Sequence, residues 1–225
     1  MTDCHRLHQT LMQLLPDGIN TADGVGARGQ YDLLYRVDDD RANPQIIMQG
    51  SFKPDLYKLD KNDRSSEPYL QSSYLGPGEI KLIKDGAEGY YSRLLQPGAI
   101  LDFIIRANPT SAKKNPAKGR SIAVPLTRAS DQLDWLCSRF AKAGLRVVDP
   151  DQVEISQRVL RSHKGITLTT FLARGQVEVA SRGKVYADGK EADVPSRESI
   201  ERLLYLGLGK GRAFGCGLLS LLPSN

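Results

Sequence analysis

The sequence predicts an α+β fold in which two ferredoxin-like domains lie in tandem. Three observations lead there. Beyond residue 97 the apolar pattern runs strand–helix–strand twice, with decorations, inside about 120 residues, which suits the split βαβ unit of that fold. Gln96-Pro97-Gly98 is a turn at a shift in composition, of the kind found between domains. The 225 residues, at roughly 150 per domain, allow one large domain or two small ones. The division is therefore expected at 1–96 and 97–225, with the first half a shorter copy of the second.

Each element has a local reason. Leu7, Leu11, Leu14 and Leu15 recur at helical spacing from Asp3 to Leu15, Asp3 can cap the start, and Pro16-Asp17-Gly18 stops the run. A Gly- and Ala-rich loop is expected from Gly18 to Gln30. Strands follow at Tyr31–Val37 and Gln45–Gln49, joined through the acidic turn at Asp38-Asp39-Asp40 and Asn43-Pro44. Ser51 to Gly89, rich in Lys, Asp, Ser, Gly and Pro, reads as loop with one short helix. In the second half, Ala99–Arg106 and Ser121–Leu126 are strands, separated by a basic loop from Ala107 to Arg120. A helix over Asp131–Ala143 turns Leu133, Leu136, Cys137 and Phe140 inward and ends at Gly144. Strands are expected at Leu145–Val148 and Val153–Leu160. A hairpin about Arg174-Gly175 would join Ile166–Leu172 to Val177–Ala180. Ser196 opens the last helix, with Ile200, Leu203 and Leu204 on one face, and Leu218–Leu222 is the closing strand.

Composition narrows the class. A 40% apolar and 25% charged chain is ordinary globular material, so neither disorder nor a fibrous protein is expected. No apolar run approaches the roughly 20 residues of a membrane helix. The start lacks the basic-then-apolar order of a signal peptide. Cys4, Cys137 and Cys216 are scattered, with no C-x-x-C pair, which argues against a disulfide framework or a zinc knuckle. A reduced, cytoplasmic protein is the expectation. The net charge of +5 is a weak pointer to a polyanion, but its placement is uneven. From Phe103 to Ser130 there is no acid, while Arg106, Lys113, Lys114, Lys118, Arg120 and Arg128 fall inside. After Glu201 come Arg202, Lys210 and Arg212, again without an acid.

Five glycines in eleven residues, Gly207, Gly209, Gly211, Gly215 and Gly217, enclose Lys210 and Arg212. Glycine permits positive φ and close approach, and exposed N–H groups can then face an anion. A dinucleotide fingerprint fails, because Arg212 stands where its third glycine belongs and no helix or downstream acid follows. A P-loop fails because Gly211 follows Lys210 where Ser or Thr is needed. Two readings stay open: a tight helix-to-strand connection, or a basic cradle for a phosphodiester backbone.

The block from Gly207 to Pro223, Gly-Leu-Gly-Lys-Gly-Arg-Ala-Phe-Gly-Cys-Gly-Leu-Leu-Ser-Leu-Leu-Pro, resembles the C-terminal signature of the CasE family of CRISPR repeat endoribonucleases. Leu7-His8-Gln9-Thr10-Leu11 with Pro16 resembles that family's helix motif, and Phe103-Ile-Ile-Arg-Ala-Asn-Pro109 its mid-chain strand. The resemblance covers nearly the whole chain and fits least between Ser51 and Gly89. It implies paired ferredoxin-like, RRM-like domains and metal-independent cutting of the CRISPR precursor transcript at the base of each repeat hairpin. It also implies that the product stays bound and that the protein sits in the Cascade complex, without a cofactor and away from membranes.

Metal-free RNA cleavage uses the 2′-hydroxyl as nucleophile, and so needs a base beside it, an acid near the leaving 5′-oxygen and positive groups on the phosphate. His8 matches the family's catalytic histidine. The family commonly carries tyrosine one turn earlier, where this chain has His5. Positions 5 and 8 share a helical face, so His5 either replaces the tyrosine as acid or phosphate donor, or is a solvent-facing substitution near a chain end. His163, between Arg161 and Lys164, is expected at the surface. Arg106, Lys113, Lys114, Lys118 and Arg120, with the glycine block Gly207, Gly209, Lys210, Gly211, Arg212, Gly215 and Gly217, form the expected RNA-binding set. An A-form stem favours such basic side chains on phosphates over base-edge contacts. Aromatics are 7% of the chain and are not interleaved with the basic residues, which disfavours a stacking platform. A ferredoxin-like domain also expects a strand before its first helix, and the helix motif begins almost at Met1. The start is therefore expected upstream, or the copy is truncated. In the truncated case the protein would be a crRNA-binding structural subunit that does not cleave.

Overall fold

The computed structural model of the chain describes residues 3–16, 31–38, 45–55, 90–115, 119–187 and 190–224. The expected loop at 18–30, the acidic turn at 39–40, most of the stretch from Ser51 to Gly89, and Lys118 lie outside them.

The second half contains a complete ferredoxin-like sheet. Strands β3 (Ile100–Ala107), β8 (Thr167–Val179) and β11 (Leu219–Pro223) run in the order β11–β3–β8, antiparallel throughout. The far edge of β8 is shared by β6 (Leu145–Val147) and β7 (Glu154–Arg161), which pair with it in succession. Two helices, α3 (Ala129–Ala143) and α4 (Ser196–Leu206), make the crossovers β3–α3–β6 and β8–α4–β11. That connectivity is the split βαβ arrangement. Strand β3 alternates as its pleat demands: Leu101, Phe103 and Ile105 are buried together with Leu136 and Phe140 of α3 and Ile200 and Leu204 of α4. Gly144 ends α3 in the left-handed region, with φ of 81°. Helix α2 (Tyr90–Leu94) adds Tyr91, Leu94 and the adjoining Leu95 to the same core.

Three local expectations are corrected. No hairpin forms at Arg174-Gly175, because β8 runs unbroken through both residues. Gly175 is there for space: a Cβ would lie 3.1 Å from Phe103 Cε1 and from Val153 Cγ2, closer than packed carbons sit. The basic stretch after Ala107 is largely strand, with β4 (Thr110–Asn115) pairing antiparallel to β5 (Arg120–Pro125). Asn108-Pro109 immediately precedes β4, and the Leu126 N–H donates to the Pro109 carbonyl at the base of the hairpin. A further hairpin between Ala180 and Ser196, β9 (Arg182–Ala187) with β10 (Lys190–Pro195), lies outside those expectations; Val185 and Gly183 of β9 are buried.

The described residues of the first half form helix α1 (Cys4–Gln13) and the antiparallel pair β1 (Leu34–Asp38) and β2 (Gln45–Gln49). Asp3 caps α1, accepting from the N–H groups of His5 and Arg6, and Leu7, Leu11 and Leu14 pack with Tyr35 in a small separate core. The halves are joined by buried polar contacts. Arg36 is 2% exposed; its Nη1 donates to the carbonyls of Ile104 and Leu218 and to Ser220 Oγ, while Asp38 takes Nε and Nη2. Gln49 donates to the Leu204 carbonyl from the other strand. No helix among the described residues is long and apolar enough to cross a membrane.

Candidate functional site

The glycine-rich segment leaves α4 and returns across the front of β1 before entering β11. All five of its glycines have positive φ, from 72° to 95°, so the path is closed to other residues without strain. The fold also fills the space over them. At Gly215 a Cβ would meet the Tyr35 ring at 3.0 Å, and Tyr35 Oη is already fixed, donating to the Ala213 carbonyl at 2.8 Å. The N–H groups of Gly207 and Gly217 donate to the carbonyls of Leu203 and Arg106. The loop is thus tied down at both ends, and the side chains it carries outward are exposed Lys210, partly exposed Arg212, whose Nη1 donates to the Leu206 carbonyl, and Phe214.

Phe214, in the short 3-10 turn Arg212–Phe214, is where the loop meets α1. The His8 ring stands edge-on to it, with centroids 6.3 Å apart, and His5 lies at 6.5 Å. One turn of α1 thus places both imidazoles against one aromatic ring. Nε2 of His5 is shielded from solvent without a hydrogen-bond partner among the described residues. A third imidazole enters from the turn between β7 and β8: His163 stands edge-on to His5, with centroids 5.2 Å apart. Asp3 Oδ2 accepts from the His163 backbone N–H at 2.9 Å and bonds its Nδ1 at 2.8 Å. Partial burial pushes the Asp3 carboxyl up, but hydrogen bonds from the backbone N–H groups of His163 and Arg6, from the His163 ring and from the His5 N–H outweigh it. They hold the group well below the ordinary carboxylate range. Cys4 adds a third tie at this point, its thiol donating to the Arg161 carbonyl at 3.4 Å.

His163 is surface, as its 42% side-chain exposure says, yet it belongs to this constellation. Its partner is 160 positions away in the sequence, and only the neighbouring basic residues hinted at a role. Arg106 goes the other way. It is 4% exposed, because β3 carries it on the face that β1 covers, and its Nη2 donates to the Val37 carbonyl at 3.1 Å. It ties the halves together and does not stand with the surface cations. Lys113 and Lys114 are exposed on β4, paired in register with Ile122 and Ser121; Arg120 begins β5. A bridge between Asn108 and Lys210 sets the root of this basic hairpin against the glycine loop. No group of three or more His, Cys, Asp or Glu that could hold a metal ion occurs among the described residues.

Fold and site together define a tandem ferredoxin-like protein with a cluster of imidazoles where its first helix meets a basic, glycine-built loop. The chain belongs to the CRISPR associated protein family, whose model matches residues 1–223. It is 27% identical to the CRISPR-associated endoribonuclease Cse3 of Thermus thermophilus over 97% of this chain and 90% of that protein. The solved structure of that Thermus protein bound to an RNA representing a pre-cleavage complex superposes with a TM-score of 0.62 at 23% identity, covering 98% of this chain and 89% of the other. Cas6e of Escherichia coli K-12 gives a TM-score of 0.58 at 21% identity, over 99% and 93% of the two chains. A chain of a CRISPR RNA-guided surveillance complex gives 0.55 at 19% identity, over 99% and 91%.

Proposed function

We propose that this protein is a metal-independent endoribonuclease that binds the hairpin of a CRISPR repeat, cuts the precursor transcript at the hairpin base and keeps the product within a Cascade-type complex in the cytoplasm. The observation that carries the reading is the meeting of His5 and His8 on Phe214 of the glycine loop, in a chain whose family and relatives are CRISPR proteins. His8 takes the proton of the 2′-hydroxyl upstream of the scissile phosphate, and that oxygen attacks phosphorus. The P–O5′ bond breaks, and the 5′-oxygen leaves with a proton from His5. The products are a 2′,3′-cyclic phosphate and a 5′-hydroxyl. Imidazole suits this work because one such group can accept a proton while another donates one near neutral pH.

Lys113 and Lys114 on the hairpin, with Lys118 and Arg120 of the same basic segment, contact phosphates of the stem. Lys210 and Arg212 hold the strand near the cut. The five glycines and buried Arg106 act on RNA indirectly, by fixing the loop that carries those cations. The test is a hairpin carrying a single 2′-deoxy nucleotide at the cleavage position, incubated in EDTA. The reading expects the all-ribose hairpin to be cut and the deoxy hairpin to bind equally and stay intact. Cleavage of the deoxy substrate, or loss of all activity in EDTA, would refute it.

A further inference from the structure

The cluster at the start of α1 contains more than the two histidines this mechanism uses. Asp3 makes two kinds of contact at once. Oδ1 accepts from the N–H groups of His5 and Arg6 at 2.9 and 3.1 Å, which caps the helix that carries both histidines. Oδ2 accepts from the His163 backbone and meets its ring at Nδ1. An ionised carboxylate has no proton to give, so Nδ1 of His163 must carry the hydrogen of that bond. The tautomer is thereby fixed, and Nε2 is left as the working nitrogen of a ring that stays substantially open to solvent. That ring sits edge-on to His5. The charged group bonded to it is Asp3, the cap of α1; along its own chain, Arg161 ends β7 and Lys164 follows His163 in the turn.

We infer that His163 is a third imidazole of the cleavage site, contributed by the second half of the chain, and that Asp3 is the positioning residue that presents its Nε2 to the RNA phosphate beside His5. The inference rests on the cleavage reading above and deepens it. A carboxylate–imidazole couple of this kind orients the ring and keeps it in one tautomer, as outer partners of working histidines do. It also explains why an aspartate stands at this cap: any of Ser, Thr, Asn or Asp would serve the helix, but only a carboxylate serves both helix and ring.

Asp3→Asn separates the two roles, because asparagine caps a helix as well as aspartate but cannot hold Nδ1–H as a charged acceptor. Three readouts are combined on the full chain. In 15N NMR of the free protein, His163 is expected to show a protonated Nδ1 in the wild type and a mixed tautomer in Asp3→Asn. In single-turnover cleavage of a repeat hairpin, Asp3→Asn and His163→Ala should each slow the reaction by roughly 10–100-fold, the range typical of such partners. The double variant should be no slower than His163→Ala, since the two act as one unit. Hairpin affinity of Asp3→Asn should match the wild type, and its Tm should fall only by the loss of the His163 N–H contact, which the asparagine NH2 cannot accept, so rates are compared well below both Tm values. Wild-type cleavage rates in both single variants would overturn the inference, as would losses that multiply in the double variant. A fall in rate that merely tracks a fall in Tm would also overturn it, by leaving Asp3 a cap and nothing more. If His8→Ala cleaves normally while Asp3→Asn is slow, the assignment of His8 fails and this inference stands. If the wild-type chain cuts no hairpin, both fail.

Discussion

Replacing Gly215 by alanine probes the glycine loop most sharply, because Gly98 supplies a matched control. Both residues have nearly the same backbone, φ of 80° and 86°. Forcing an L-residue into that region costs roughly 1–2 kcal/mol, and the effect of alanine on the unfolded chain is shared. The surroundings differ. A Cβ at Gly98 meets nothing within 4 Å, whereas at Gly215 it meets Tyr35 Cε2 at 3.0 Å. Tyr35 cannot retreat: it is fully buried among Leu7, Leu11 and Leu14, and its hydroxyl is held by Ala213. Overpacking of this kind typically costs a further ~1–3 kcal/mol. For a chain of this length 1 kcal/mol moves Tm by about 2–4 °C, so the variants should differ by roughly 2–12 °C, with Gly215→Ala the less stable. Differential scanning calorimetry of wild type and both variants measures this directly. Equal Tm shifts would show that backbone strain alone accounts for the glycines, and the packed-loop explanation would be wrong. Because Gly215 directly follows Phe214, the same variant should also lose cleavage at temperatures where it remains folded.

Two further outcomes follow from the polar contacts. Arg36→Met removes a guanidinium that satisfies Asp38, two carbonyls and Ser220, and breaking a buried pair from one side costs about 3–5 kcal/mol; urea unfolding that shows less than ~1 kcal/mol would contradict its role in joining the halves. Charge reversal of Lys113 and Lys114 together should weaken hairpin binding and flatten the dependence of log affinity on log salt by about one unit for each phosphate that is no longer neutralised, read by filter binding across a salt series. Unchanged affinity would remove the β4–β5 hairpin from the RNA interface.

The fold was legible wherever its causes are local. Helix α1 announces itself through Leu7, Leu11 and Leu14 and the cap at Asp3, and α3 through its apolar face and Gly144. Gly175 misled because a glycine beside arginine between two apolar runs has the chemistry of a turn. The reason for it, the Phe103 ring on a neighbouring strand, comes from 72 positions earlier. The β9–β10 hairpin gave little signal because its described side chains are mostly exposed and the alternation that marks a half-buried strand is weak. Of the site, His5 and His8 could be paired from their spacing on one helix. His163 could not be added, since it joins them only through the docking of the β7–β8 turn on Asp3. Arg106 shows the converse: its position in an acid-free run pointed outward, while the period of β3 puts it opposite Phe103 and Ile105, on the face that β1 happens to cover.

The central claim is that the imidazoles gathered on Phe214 perform the cut. Single-turnover cleavage of a cognate repeat hairpin by wild type and His8→Ala, with hairpin affinity measured in parallel, tests it most directly. The account predicts a rate loss of roughly 100- to 10,000-fold, the contribution of a positioned general base, at unchanged affinity. Cleavage by His8→Ala at the wild-type rate would contradict it.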